Sequence, residues 1–401
     1  MRVSDANGQV EGVRQRNLAR VLRLAHVDGP VSRAALTETT GLNRSTIADL
    51  VGELGGLGLI EERAPAAVKR VGRPSPIVAA RGDVVAIAVN PEVDAVTIAA
   101  VGLDRSIPVR ERVDMDHLVR PDETVRIIAD RLTAWRAGVL ADARVVAIGV
   151  AVPGLVRASD GLVRNTPHLS WVDVPLRDDI AWATGLPVAV DNDATLGVLA
   201  EHLFGAARDV DHVVYLNGGA SGIGGGLIVH GMPVAGAAGY AGEFGQNRVA
   251  AGADGRTDRA VLEDEVSRAR LLDAVGLASA DEPTLAAVLA ESTRPVVAAE
   301  VERQRRILTT ALANAVNVLN PAVVVLGGFL ATIAERDIPG LEDAVRAQAM
   351  PANGEDLTIR TAVLAEDRLL VGAAEAAFAD LLRDPLAFLA SAPVRSHDSA
   401  P

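Results

Sequence analysis

A chain of 401 residues, 49% of them apolar, is long enough for two or three domains with sizeable cores. It has no cysteine, which excludes disulfides and thiolate metal sites, and no run of eighteen apolar residues that could cross a membrane. The formal net charge of −13 argues against nucleic acid as a partner of the chain as a whole, but the charge is unevenly placed. Residues 1–80 hold 11 of the 39 basic and 8 of the 52 acidic residues, a net of +3; the remainder holds 28 and 44, a net of −16. A mildly basic head on an acidic body is compatible with a DNA-binding head. Met1 to Val10 lacks an apolar signal core, so a cytoplasmic protein is expected.

In the head, Leu18, Val21, Leu22 and Ala25 recur at i, i+3, i+4 and i+7, the mark of an amphipathic helix, and Gly29-Pro30 ends it. Ser32 is placed to cap a short second helix through Thr39. Gly41-Leu42-Asn43 makes a tight turn, and Asn43 caps a third helix whose apolar stripe is Ile47, Leu50, Val51 and Leu54. Two short helices around a glycine turn form a helix-turn-helix. Its second helix offers N-terminal polar residues, here Arg44, Ser45 and Thr46, to a major groove. Gly58-Leu59-Ile60-Glu61 and a Pro- and Ala-rich hairpin with Lys69, Arg70 and Arg73 read as a wing. Arg33, Asn43, Arg44, Ser45, Thr46, Lys69, Arg70 and Arg73 are the expected DNA contacts. Asp49 is an acid on the recognition helix; it repels phosphate but can accept from a cytosine amino group. A three-helix protein-interaction module is the alternative for this region.

In the body, residues 84–89, 95–101 and 145–152 are apolar runs that read as buried strands. Val188-Ala-Val-Asp191-Asn192-Asp193 is another apolar run, and it breaks into polar residues where residues 195–204 begin a helix. Asn217 to Gly226 is glycine-rich between apolar runs, and Gly239-Tyr-Ala-Gly242-Glu243-Phe-Gly245-Gln246 holds an acid between glycines. Glycine allows φ > 0 and close approach of a ligand to backbone. Two carboxylates and a carboxamide suit a polyhydroxylated ligand, because carboxylates accept several hydroxyl hydrogen bonds. Residues 300–319 form a long amphipathic helix feeding a strand that ends at Gly327-Gly328, and a last packing helix begins near Val371. From 386 to 401 the Pro-, Ser- and Ala-rich composition predicts a disordered tail.

Taken in order, these motifs resemble the ROK family of repressors, open reading frames and kinases, over most of the chain. Asn192-Asp193-Ala194 is similar to the family's sugar-binding and catalytic-base position, Gly222-Ile-Gly224-Gly-Gly226 to its second phosphate loop, and Gly239 to Gln246 to its signature. Ser32-Arg33-Ala34-x-Leu36, Gly41-Leu42 and Gly72-Arg73-Pro74 resemble its repressors in particular. The resemblance implies an α/β chain. Its parts are a winged helix-turn-helix over 1–80, a two-lobe actin-like, sugar-kinase-like (ribonuclease H-like) body over 81–385, and the tail. It also implies a sugar site of Asn192, Asp193, Glu243, Gln246 and Glu263.

Two departures from the family pattern matter. The turn that grips ATP phosphate in the kinases, Asp-x-Gly-x-Thr, reads Asn90-Pro91-Glu92-Val93-Asp94 here; proline has no backbone donor and the acids repel phosphate. The family's zinc cysteines fall on Asp254, Arg256 and Val261, and the signature histidine on Gln246. Neither metal, cofactor nor catalytic residue is therefore expected. The leading expectation is a sugar-responsive regulator of carbohydrate genes, a homodimer or dimer of dimers, binding an operator in duplex DNA and a sugar or sugar derivative. Its head is expected to be separate enough that pocket changes leave sugar-free DNA binding alone. A sugar kinase with an added N-terminal module and a scaffold with a degenerate pocket are the other readings.

Overall fold

The computed structural model describes residues 3–64, 75–219, 222–249 and 260–391. In the head, the apolar stripe Leu18, Val21, Leu22 and Ala25 is buried along α1 (Val3–Val27). Gly29 turns the chain at φ 77° into β1 (Val31–Ser32). The Ser32 hydroxyl accepts from the Ala35 amide at 3.1 Å and starts α2 (Arg33–Thr40), which ends at Gly41 with φ 72°. The Asn43 carboxamide oxygen accepts from the Thr46 amide at 2.8 Å and starts α3 (Arg44–Gly56). Strands β2 (Ile60–Arg63) and β3 (Ile77–Ala80) pair antiparallel, and β1 joins the other edge of β3. This is the expected winged helix-turn-helix. The tip of the wing, with Lys69, Arg70 and Arg73, lies outside the described residues.

The first lobe contains β4 (Val84–Pro91), β5 (Ala95–Gly102), β6 (Val109–Asp114), α4 (Pro121–Arg136) and β7 (Arg144–Val152). It continues through a small sheet of β8 (Leu155–Arg157), β9 (Leu162–Thr166) and β10 (Trp171–Val174), then α5 (Leu176–Thr184), β11 (Val188–Asn192) and α6 (Asp193–Phe204). The second lobe starts with β12 (Val213–Gly219), β13 (Gly222–Val229) and β14 (Met232–Pro233). Helices α7 (Leu262–Glu265), α8 (Arg268–Val275), α9 (Glu282–Glu291) and α10 (Pro295–Leu319) lead to β15 (Val323–Gly328). Then come α11 (Phe329–Glu335), α12 (Ile338–Gln348), α13 (Pro351–Gly354) and β16 (Thr358–Thr361). The chain returns to the first lobe with α14 (Arg368–Arg383) and α15 (Pro385–Ser391).

The main sheets run β6-β5-β4-β7-β11 and β14-β13-β12-β15-β16. Each is an antiparallel three-strand meander extended by two parallel strands. The lobes thus repeat one topology, which the sequence did not display, because buried parallel strands need only an apolar run and not particular residues. Helix α14 lies on the first sheet so closely that a Cβ on Gly149 of β7 would overlap the Ala373 carbonyl oxygen.

Two expectations need correction. Residues 386–391 are not a tail. The Asp384 carboxylate accepts from the Ala387 amide at 3.1 Å, and Leu386, Phe388 and Leu389 pack α15 against α1 and α14. Three large apolar side chains within four residues outweigh the Pro and Ala around them; residues 392–401 lie outside the described residues. Nor is the head a separate body. One hydrophobic core runs from Leu18, Leu50 and Leu54 through Val84, Ala86 and Ala88 to Phe378 and Leu381.

Candidate functional site

The end of β11 and the start of α6 build the site. Asn192 is the N-cap of α6: its carboxamide oxygen accepts from the Ala194 and Thr195 amides at 2.9 and 3.0 Å. Its Nδ2 donates to the Gly154 carbonyl at 2.9 Å, tying the turn after β7 to the helix. The side chain is therefore occupied in fixing Asp193, the first helical residue. Desolvation pushes the Asp193 carboxyl up to about 6, against the pull of its own helix amides and of Arg368. Asp191 is likewise pushed up to about 6 by desolvation.

Two other segments bring carboxylates to Asp193. Desolvation raises the Glu243 carboxyl, and the charges of Asp193 and Glu263 raise it further, which places Glu243 within the field of the other two acids. Glu263 is held by the Ile223 amide at 3.2 Å and by the Gln246 Nε2 at 2.5 Å. A Cβ at Gly222 or Gly245 would stand 2.5 or 2.7 Å from the Glu263 Oε2, so both glycines make room for that carboxylate. All five predicted site residues thus come together, but in two roles. Asp193, Glu243 and Glu263 are carboxylates, which only accept when ionised, while the Asn192 and Gln246 carboxamides are bonded to neighbouring groups.

The zinc of the family does not fit these residues. The Gln246 carboxamide, tied to Glu263, stands where the signature has histidine, and the chain has no cysteine. The base of the adjoining loop is closed by backbone instead. Leu262 donates to the Asn247 carbonyl at 2.9 Å, Val249 to Ala260 at 3.1 Å, and Arg248 bridges Val261.

Sequence reasoning missed Arg368, Tyr215 and Asn217. Arg368, the first residue of α14, is buried; its Nη1 donates to the Ala365 carbonyl at 2.7 Å and its Nη2 lies 3.5 Å from the Glu282 carboxylate of the second lobe. Burial opposes its charge, and Tyr215, Glu282 and Asp193 more than restore it. The Tyr215 hydroxyl and the Asn217 carboxamide oxygen are buried with no partner among the described residues, both facing Gly327. Nothing local marks these residues: Arg368 lies 175 positions from the acid it faces.

The turn after β4 is closed on itself. The Glu92 amide donates to the Ala95 carbonyl at 2.7 Å, and the Glu92 carboxylate accepts from Asn90, Thr97 and Arg112 at 3.2, 3.1 and 2.5 Å. Arg112 also reaches Asp94 and Asp114 at 3.1 and 2.8 Å. Two amides of this turn are unavailable to a phosphate: Pro91 has no N–H, and that of Glu92 is already bonded.

On the head, Arg44, Ser45 and Asn43 are exposed at the start of α3, and Arg44 has no partner among the described residues. Asn43 and Ser45 are bonded to each other at 2.7 Å within the cap. Arg33, also on the head, forks onto both oxygens of Glu62 on β2, at 2.5 and 2.6 Å, in an exposed pair.

The xylose repressor of Caldicellulosiruptor bescii is 25% identical over 392 residues, 93% of this chain and 98% of that protein. The glucokinase of Thermotoga maritima is 29% identical over 246 residues, 57% of this chain and 77% of its own. A solved ROK family transcriptional regulator, a homolog of the Escherichia coli Mlc protein, superposes with a TM-score of 0.74 at 25% identity over 94% of this chain and 98% of its own. The ROK family model matches residues 87–379, and the chain belongs to the ROK family.

Proposed function

We infer that this ROK protein is a sugar-responsive, DNA-binding transcriptional repressor whose kinase-like body senses a sugar without phosphorylating it. The carrying observation is the pairing, in one chain, of a capped recognition helix with a three-carboxylate site beside a closed phosphate turn. Three carboxylates hold sugar hydroxyls as acceptors. Two heads in a homodimer or dimer of dimers reach half-sites about one helical turn, or a multiple, apart. The xylose repressor name of a full-length relative puts D-xylose first among sugars to test. Among the described residues no helix is long and apolar enough to cross a membrane, and a cytoplasmic regulator accords with that.

Arg44→Ala is expected to weaken binding to a preferred duplex by about tenfold to a hundredfold, with little loss on random DNA, if Arg44 reads a base edge. Fluorescence anisotropy with both duplexes checks it, and equal losses on both would make Arg44 a phosphate contact instead.

One observation favours a second reading, a kinase with an added head: Asp193 has a carboxyl near 6, suited to a general base for a sugar hydroxyl. No ATP consumption is expected with any common hexose or pentose. Sugar-dependent consumption that Asp193→Asn abolishes would promote the kinase reading.

A further inference from the structure

Among the buried groups that the sugar site does not use, one pair spans head and body. His26, in the last turn of α1, is 1% exposed. Its Nδ1 lies 2.6 Å from the Leu103 carbonyl oxygen just after β5, and its Nε2 lies 2.8 Å from the Glu375 carboxylate on α14. A carbonyl and a carboxylate are both acceptors, so each contact needs a hydrogen. Neutral imidazole beside ionised Glu375 supplies only one. The node is complete only with an extra proton, on the ring or on the carboxyl. Phe204 and Phe378 stand edge-on to the ring at 5.8 and 5.9 Å and keep water out.

The groups facing this node from each packed element are few. Glu375 comes from α14, and Arg105, from the turn after β5, lies over the Phe204 ring at 4.8 Å. Arg105 opposes the ring's charge. On α6 the facing residue is Phe204, which carries no charge. Nearby, Arg208 and Asp28 pair at 2.8 Å, and Arg144 donates to the Leu57 and Gly58 carbonyls at 3.0 and 3.2 Å.

We propose that His26 and Glu375 are positioning residues for DNA binding: a proton shared between them holds the head on the body, and its loss loosens the head. The same helix carries Arg368, whose charge acts on Asp193, two turns before Glu375. Gly149 and Gly372 leave no room for a Cβ between α14 and its seat on β7 and α6. A shift of α14 at the sugar site therefore reaches His26 directly.

The sign of the pH effect follows from the acceptors. Burial lowers the His26 pKa, but Glu375 and Leu103 outweigh it and hold the ring above its ordinary 6.5. The docking contribution is fully present below about 6.5 and is lost as pH rises through the raised folded-state value.

The test uses the full chain. Hydrogen exchange, corrected for intrinsic rate, is measured for amides 19–28 from pH 6 to 8.5. Wild type is expected to lose about tenfold protection as pH rises, consistent with one hydrogen bond to a charged group. Glu375→Gln, whose amide can donate to a neutral ring nitrogen, is expected to be flat, and His117→Asn, away from the junction, to keep the wild-type profile. An unchanged profile in Glu375→Gln overturns the proposal. Should that variant not fold, nitrogen NMR of wild-type His26 decides: titration in step with lost protection supports the proposal, and titration without it overturns it.

The DNA arm rests on the repressor reading and uses a duplex selected by the wild-type chain from a random pool at pH 6. Its affinity is expected to fall with the same midpoint in wild type and not in Glu375→Gln. A wild-type affinity flat with pH overturns the positioning role. Failure to select any duplex sinks the repressor reading, while the exchange profile still decides whether the shared proton holds the head.

Discussion

Asp193→Ala is expected to weaken binding of the cognate sugar by about tenfold to more than a hundredfold. Hydrogen bonds to charged groups are worth roughly 1.5–3 kcal/mol, and about 1.4 kcal/mol is a factor of ten. Asp193 is held in place at the start of α6: Asn192 caps its helix, and the Ala194 amide donates to its Oδ1 at 2.8 Å. Isothermal titration with D-xylose, then other pentoses and hexoses, measures the loss; an unchanged affinity moves the sensor away from this site. Burial adds a pH dependence of known sign. With the carboxyl near 6, sugar affinity in the wild type should fall as pH drops below about 6, because a proton then occupies the acceptor. Asp193→Asn should lack that fall. Sugar-free DNA binding of Asp193→Ala is informative because the head shares a core with the body. If it is retained, Asp193 serves the sugar alone; if it is lost in a folded variant, the charge facing Arg368 also sets the seat of α14.

Gly149→Ala is expected to be among the most destabilising single changes of its size. The new methyl would overlap the carbonyl oxygen of Ala373, and the carbonyl carbon would be 2.5 Å away, so backbone and not a flexible side chain must move. Overpacking a tight core costs about 1–3 kcal/mol and occasionally more; this position belongs at or above the upper end. The damage should also be functional, because α14 carries both Arg368 at the sugar site and Glu375 at the head. Gly52→Ala is the control. Gly52 lies inside α3 with nothing within 4 Å of the added Cβ, and the change should stabilise by roughly 0.5–1 kcal/mol through helix propensity. Denaturant unfolding of both variants reads the contrast, and wild-type stability in Gly149→Ala would refute the close seating of α14.

The sequence by itself determined what depends on neighbours a few residues apart. The stripes of α1 and α3 and the caps Ser32 and Asn43 act within one or two turns, so their spacing predicts them. The same holds for the phosphate turn, where Pro91 removes a donor wherever the chain goes. The acids at 193, 243 and 263 were legible from motif resemblance, but not the division of labour around them. Whether Asn192 and Gln246 bind a ligand or a neighbour depends on what stands within 3 Å, and Gly154 and Glu263 became those neighbours only on folding. The pairing of Arg33 with Glu62 was likewise invisible until the fold brought β2 to α2. Tertiary structure alone decided the repeated sheet topology, the docking of α15 and the partnership of His26 with Glu375, 349 residues away. A hydrogen bond between residues so far apart leaves no local pattern, because the chain's path between them, and not the type of either residue, sets the distance.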